Sequence, residues 1–360
     1  MNFKINNTST SVELSVHADR LVDEFLKRGY YQAVPDQHPD FVLNLIDLDK
    51  PVAYRRKVQE EMVVSVAFLD KDRPDLKSAC YIALVKSISN MLFCLVAHEG
   101  SMKGYSITPE VGFVEFPFTS EKMYQYMYPV ISSHFVLRNR FDTCLASEKL
   151  QSVPEVNDIV QFAKELLSLG VLPAPFPLTS FLDQDMIEHL FRLYNIRGLS
   201  YGNLSIRNKN YDIDGSTFWM TARGVDKSKL TGVGKDILLV KGYDEASGEM
   251  VVSVPEDYDP KVRVSVDAIE HYMIYHSFPQ VGAIVHVHAW IDGISCTDQT
   301  YPCGTRELAE NVVALLKSTP DPGRAEAGLK NHGITVTGPD IRDIFSRLRT
   351  RLKTTVPMFN

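Results

Sequence analysis

One run of ten residues, Val281 to Trp290 (VGAIVHVHAW), constrains the fold of this chain more than any other stretch. Its apolar, β-branched character reads as a buried strand, yet two histidines are set into it two residues apart. Strand side chains alternate between faces, so His286 and His288 point the same way. Imidazole is poor core filler and a common metal ligand, which makes the pair half of a metal site. A hydrogen-bonded core histidine is the competing explanation for either one alone.

The missing half must come from elsewhere in a chain of 360 residues, a length that suggests two domains with a core each. The net charge of −7, from 38 basic and 45 acidic residues, comes without a long run of either sign. That argues against nucleic acid or a membrane surface as partner, since both want a basic face. No apolar segment reaches membrane-spanning length, and the polar start Met1-Asn2-Phe3-Lys4 lacks a signal-peptide core. Cys80, Cys94, Cys144, Cys296 and Cys303 are scattered and form no C-x-x-C pair, as expected of reduced thiols in a cytoplasmic protein.

In the first half, residues 1–10 are polar and expected to order late or not at all. An amphipathic helix is read from about Val16 to Lys27, then come strands at 41–46, 62–69, 93–97 and 111–118, with helices over 76–92 and 121–134. Apolar strands alternating with helices indicate an α/β layer with a largely parallel sheet. Neither G-x-G-x-x-G nor G-x-x-x-x-G-K-[ST] occurs, so no nucleotide site is indicated. His98-Glu99-Gly100 reads as a surface turn and Arg55-Arg56-Lys57 as a solvated face. This α/β domain, placed at 1–150, has no role legible in its residues. A helix from Val156 to Leu169 and the proline-rich Gly170 to Pro177 make 151–182 a helix and linker.

The second domain, 183–360, opens with a helix over 183–195. Gly202-Asn203 turns into a strand at 204–207, Asp212 to Gly215 turns into a strand at 217–221, and Ala222-Arg223-Gly224 is a further tight turn. Glycine turns beside Asn and Arg suit a small anion, phosphate or carboxylate, although turns need glycine anyway. Strands at 237–241 and 251–254 precede a helix over 264–276 that sets Asp267 and His271 at i, i+4. After the histidine strand comes an irregular polar stretch, Ile291 to Cys303, then a helix capped by Thr305. A third histidine, His332, stands between Asn331 and Gly333 at the entrance to another strand.

These residues together resemble the class II aldolase/adducin family over about 183–352. Its opening G-N-[IL]-S-x-R is present as Gly202 to Arg207, and its T-P-[ST]-G turn as Thr221-Ala222-Arg223-Gly224. V-G-A-[VI]-V-H-[TV]-H stands intact at 281–288, and L-x-N-H-G-[VI]-x-V-x-G as Leu329 to Gly338. The resemblance implies a three-layer α/β/α domain with a mainly antiparallel central sheet. It also implies a divalent metal on His286, His288 and His332, zinc first, with iron, manganese or cobalt as alternatives. The family's aldolases carry Glu nineteen positions before the first strand histidine; counting back gives Asp267, as in the sugar-phosphate 4-epimerase branch.

The activity implied by the resemblance is that of a metal-dependent lyase. It would act on a small hydroxy-carbonyl or sugar-phosphate substrate through a metal-stabilised enediolate, with Asp267 moving the proton. Gly202, Asn203, Arg223, Gly224 and Ser265 would hold the substrate's phosphate or carboxylate. The segment between His288 and His332 is shorter than in the sugar-phosphate enzymes, which leaves Asp298 and Tyr301 as candidates for a second proton transfer. Epimerase, dehydratase or decarboxylase chemistry on the same site, and a non-catalytic adducin-like scaffold, are the alternatives. Family members are homo-oligomers, so this chain is expected to be one.

Overall fold

The structure, a computed structural model, describes residues 1–58, 60–98, 100–109, 113–145, 153–172, 183–185, 187–188, 201–208 and 216–359. Two units divide the chain: Met1–Ser133 with Leu178–Ile187 and Met358–Asn360, and His134–Pro177 with Glu188–Pro357.

The first unit is built on a seven-stranded sheet. Its strands are β1 (Asn2–Asn7), β2 (Tyr31–Gln32), β3 (Phe41–Leu45), β4 (Met62–Leu69), β5 (Met91–His98), β6 (Ser101–Ile107) and β7 (Phe113–Pro117), in the order β2-β1-β3-β4-β5-β6-β7. Pairing is parallel from β2 to β5 and antiparallel from β5 to β7. The polar opening of the chain is therefore not late to order: it is β1, between β2 and β3. Phe3 is fully buried, its ring 5.2 Å from Phe25 and 5.8 Å from Phe41, and Asn6 Nδ2 donates to Asn44 Oδ1 at 2.7 Å. One aromatic anchor and paired polar side chains make up for the low apolar content.

Helix α1 (Val12–Lys27) begins at Ser11, whose hydroxyl accepts from the Leu14 amide, and buries Leu14, Ala18, Leu21 and Phe25. Helix α2 (Leu76–Ser87) is shorter than its apolar run, because Ile88 turns to φ 53° and Met91–His98 is taken into the sheet as β5. Strand β6, too polar at its start to be read as a strand, pairs antiparallel with β5, Ser101 opposite His98. Helix α3 (Ser120–Ile131) is capped by Thr119.

The second unit carries an eight-stranded sheet: β8 (Arg138–Asp142), β9 (Asn203–Arg207), β10 (Phe218–Thr221), β11 (Ile237–Asp244), β12 (Glu249–Ser253), β13 (Ala283–Val287), β14 (Glu326–Leu329) and β15 (Gly333–Gly338). The order is β14-β15-β13-β9-β10-β11-β12-β8, antiparallel throughout except for β12–β8, so the sheet is mixed. Helices α4 (Pro154–Ser168) and α7 (Ile341–Leu348) pack on one another through Phe162 and Phe345, 4.6 Å apart, and against the central strands. Helices α5 (Ala268–Ser277) and α6 (Arg306–Lys317) pack together on the face that carries Ser205 and Thr335.

The division between units thus falls earlier than a boundary at 150. Strand β8 pairs with β12 over five residues and α4 is packed in the second core, so both belong with the C-terminal sheet rather than with a first domain or a linker. Most of the proline-rich connector, most of the helix expected over 183–195 and the turn at Asp212–Gly215 lie outside the described residues. Among those described, no helix is long and apolar enough to cross a membrane.

Candidate metal centre

Three neighbouring strands aim one row of polar side chains at α5. His286 of β13 lies opposite Asn203 of β9 on one side and Thr335 of β15 on the other, so the three share a face. His288 is one residue beyond β13. His332 is delivered by the tight hairpin between β14 and β15: Asn331 adopts φ 56°, a left-handed turn that Asn tolerates, and His332 N donates to Leu329 O at 3.0 Å. Gly333 must be glycine, because a Cβ there would stand 2.3 Å from Val287 O and 3.0 Å from His288 Cα. That close approach carries the third imidazole to the other two. Ring centroids are 5.3 Å apart for His286–His288, 5.0 Å for His286–His332 and 4.8 Å for His288–His332.

All three are buried, at 1%, 5% and 2% exposure. Burial drives their pKa values down, to about 4 for His286 and about 3 for His332, and well below the usual value for His288. They are neutral at pH 7 and present lone pairs. His286 Nδ1 is 3.3 Å from Thr335 Oγ1, which itself donates to Glu270 Oε1 at 2.6 Å, leaving Nε2 as the free nitrogen. A buried relay of this kind fixes the ring of a metal-binding histidine. Among the described residues, His286 Nε2 and His288 Nδ1 are buried with no hydrogen-bond partner. Imidazoles with orphaned nitrogens, brought this close together, fit a divalent cation.

The structure adds a residue that sequence reasoning left among the scattered thiols. Cys303 Sγ lies 3.1 Å from His332 Nε2, and donor atoms of His286, His288, Cys303 and His332 all fall within 4.8 Å of one another. Spacing held no hint of this, since the irregular stretch before Cys303 has no period from which to project it.

Asp267 adjoins this cluster. It sits just ahead of α5 as the N-cap residue, although it makes no side-chain cap, rather than within a longer helix. Its Oδ2 accepts from Asn203 Nδ2 at 2.7 Å, and Cys303 and the Gly304 amide also bond to it. Oδ1 has no partner among the described residues. Burial raises its pKa, opposed first by the neighbouring His332 and then by these hydrogen bonds. Glu270, one turn on and fully buried, is pushed up to about 8 by burial and by Asp267. His271 faces away from the cluster, with Nδ1 2.6 Å from Ser205 Oγ, which in turn meets Tyr275 Oη at 2.9 Å.

The anion candidates converge on the same acid. Gly202, at φ 77°, presses on the backbone of His286, and Asn203 holds Asp267. The Arg223-Gly224 turn is tied to the segment before Asp267 by the Ala222–Val264 bridge and by Arg223 N donating to Arg263 O at 2.8 Å, which brings it beside Ser265. Arg223 Nε and Nη2 are buried without partners among the described residues, and burial lowers its pKa to about 10 against the pull of Asp267. Lys227, only 3% exposed and missed by sequence reasoning, lies close enough to feel Asp267, and burial lowers it to about 8. Asp298 is exposed and lies near Cys296, and Tyr301 packs half-buried against the core.

Residues 186–291 match the model of the Class II Aldolase and Adducin N-terminal domain, a span that holds His286 and His288 but not Cys303 or His332. Among solved structures the chain is similar to YgbL of Klebsiella pneumoniae, described only as an aldolase/epimerase/decarboxylase: 18% identity, TM-score 0.34, covering 57% of this chain and 85% of that one. YgbL of Escherichia coli gives 16% identity, TM-score 0.34, and 54% and 84% coverage. No curated protein sequence matches the chain. With the family's span matched and its histidine strand in place, the C-terminal region of this chain is class II aldolase-like.

Proposed function

We propose that this chain is a metal-dependent lyase of aldolase type, acting on a small hydroxy-carbonyl compound that bears a phosphate or a carboxylate. The observation behind it is the convergence of three buried, neutral imidazoles beside a carboxylate with one oxygen left unpaired. A divalent ion, zinc first and iron, manganese or cobalt as alternatives, would be held by His286, His288 and His332 and would supply Lewis acidity toward a carbonyl and its neighbouring hydroxyl.

The chain's own residues do the rest. Asn203 pins Asp267 Oδ2, so Oδ1 is the oxygen positioned to take a proton from the substrate hydroxyl and to return it to the carbon left after cleavage. Burial raises the basicity of that carboxylate and keeps bulk water away. Arg223, whose Nε and Nη2 have no partner among the described residues, offers a planar fork suited to bidentate contact with phosphate or carboxylate, and Gly202, Asn203, Gly224 and Ser265 would complete that hold. A second reading, epimerisation, dehydration or decarboxylation on this platform, draws on Asp rather than Glu at 267. The substrate is a free small molecule in either case, and a homo-oligomer is the expected assembly.

Incubating the zinc-loaded protein with hydroxy-carbonyl phosphates and carboxylates tests the reading. Aldehyde release that disappears in Asp267→Asn supports the lyase; carbon dioxide or an epimer in its place supports the second reading. Metal binding without turnover of any compound would leave the scaffold.

A further inference from the structure

Cys303 is held in place from both sides. The carbonyl of Pro302 accepts from Thr305 Oγ1 at 2.8 Å, and Thr305 caps α6. Gly304 (φ 76°) packs where a Cβ would stand 2.9 Å from Val266 Cβ, next to Asp267, and its carbonyl accepts from Val136 N at 2.8 Å. The thiol between these anchors reaches the three histidines, whereas the nearby Cys296 is engaged with Thr297 and lies outside the cluster. Four donors within 4.8 Å of one another suit a single ion with bonds of about 2.0–2.3 Å. Among the described residues, His286 Nε2 and His288 Nδ1 belong to side chains at least nine-tenths buried and have no hydrogen-bond partner, an observation independent of the cysteine.

Resting on the metal-centre reading, we propose that Cys303 supplies a thiolate as the fourth protein ligand and thereby selects a thiophilic ion, zinc or cobalt, over magnesium or manganese. Three neutral imidazoles would leave a dication's full charge buried; one thiolate halves it, which burial favours. Soft sulfur also discriminates against hard, oxygen-seeking cations. On binding, the S–H bond breaks and a sulfur–metal bond forms; the proton passes to Asp267, already the hydrogen-bond partner of this thiol, or to solvent.

Titration of the purified full chain with cobalt(II) chloride, monitored by absorption, tests this. The expected result is a thiolate-to-cobalt charge-transfer band in the parent that persists in Cys296→Ser and is lost in Cys303→Ser, which still shows the visible bands of histidine-bound cobalt. Since Cys303→Ser can fail to fold, the parent is also alkylated with iodoacetamide with and without zinc, and the labelled peptides are mapped. Zinc should protect Cys303 at least tenfold and leave the exposed Cys144 unchanged. Visible cobalt bands without charge transfer, or equal labelling of Cys303, would overturn the thiolate ligand and leave the three-histidine reading standing. Failure to bind cobalt at all would overturn both.

Discussion

Each sheet buries a network of polar side chains, and the two networks are satisfied to opposite degrees. In the first, Asn44 takes a bond from Asn6, and its Nδ2 donates to Val52 O at 3.0 Å and to Ser65 Oγ at 3.1 Å. Ser65 meets Ser89 at 2.6 Å, which meets Ser87 at 2.9 Å, so the ladder closes on itself. In the second, among the described residues, Asn203 Oδ1, Asp267 Oδ1, Glu270 Oε2, His286 Nε2 and His288 Nδ1 are left without partners on and beside the residues of the histidine cluster. A satisfied network specifies a core, while unsatisfied atoms gathered at one point are where a ligand belongs. The difference separates a polar core from a candidate site better than burial or residue type does.

Substitutions that act on one sheet and spare the other sharpen this contrast. Asp267→Asn should cost the largest factor, about 10²–10⁴ in turnover, with metal content unchanged in elemental analysis. Thr335→Val removes the relay between His286 and Glu270 and should weaken metal binding about 10–100-fold in a competition titration. Asn44→Ala should lower stability by about 1–3 kcal/mol in urea unfolding, with metal affinity untouched. If Asn44→Ala also lost metal, the contrast between the two networks would collapse.

A further effect is in pH. His271, His286, His288 and His332 have folded pKa values below the unfolded value of about 6.5. Their contribution to stability is complete above that value and is lost as pH falls toward 4. Glu270 and Asp267, with raised pKa values, act oppositely: their burial costs least at low pH. Four imidazoles against two carboxyls give a net fall, so chelator-treated protein should melt progressively lower between pH 6.5 and 4. An unchanged melting temperature would mean that the imidazoles are not buried together.

Periodicity carried most of the second sheet. The histidine strand, the G-N-L-S strand and the N-H-G hairpin are each written locally, by alternation, by glycine and by Asn at a left-handed position. Strand β1 was not legible, because its strength comes from Phe3 meeting Phe25 and Phe41 across the sequence. Cys303 was missed for the same reason: Gly304 closing on Val266, a contact 38 residues apart in the chain, is what aims it. Local pattern reports which strand a residue occupies and is silent about which loop folds back to meet it.

The central claim, that the three gathered imidazoles are a metal centre, is tested most directly by elemental analysis of the purified chain beside His288→Ala. About one thiophilic divalent ion per parent chain, lost in the variant, is the predicted result. A parent that stays metal-free after zinc reconstitution, or a variant that retains its ion, would contradict it.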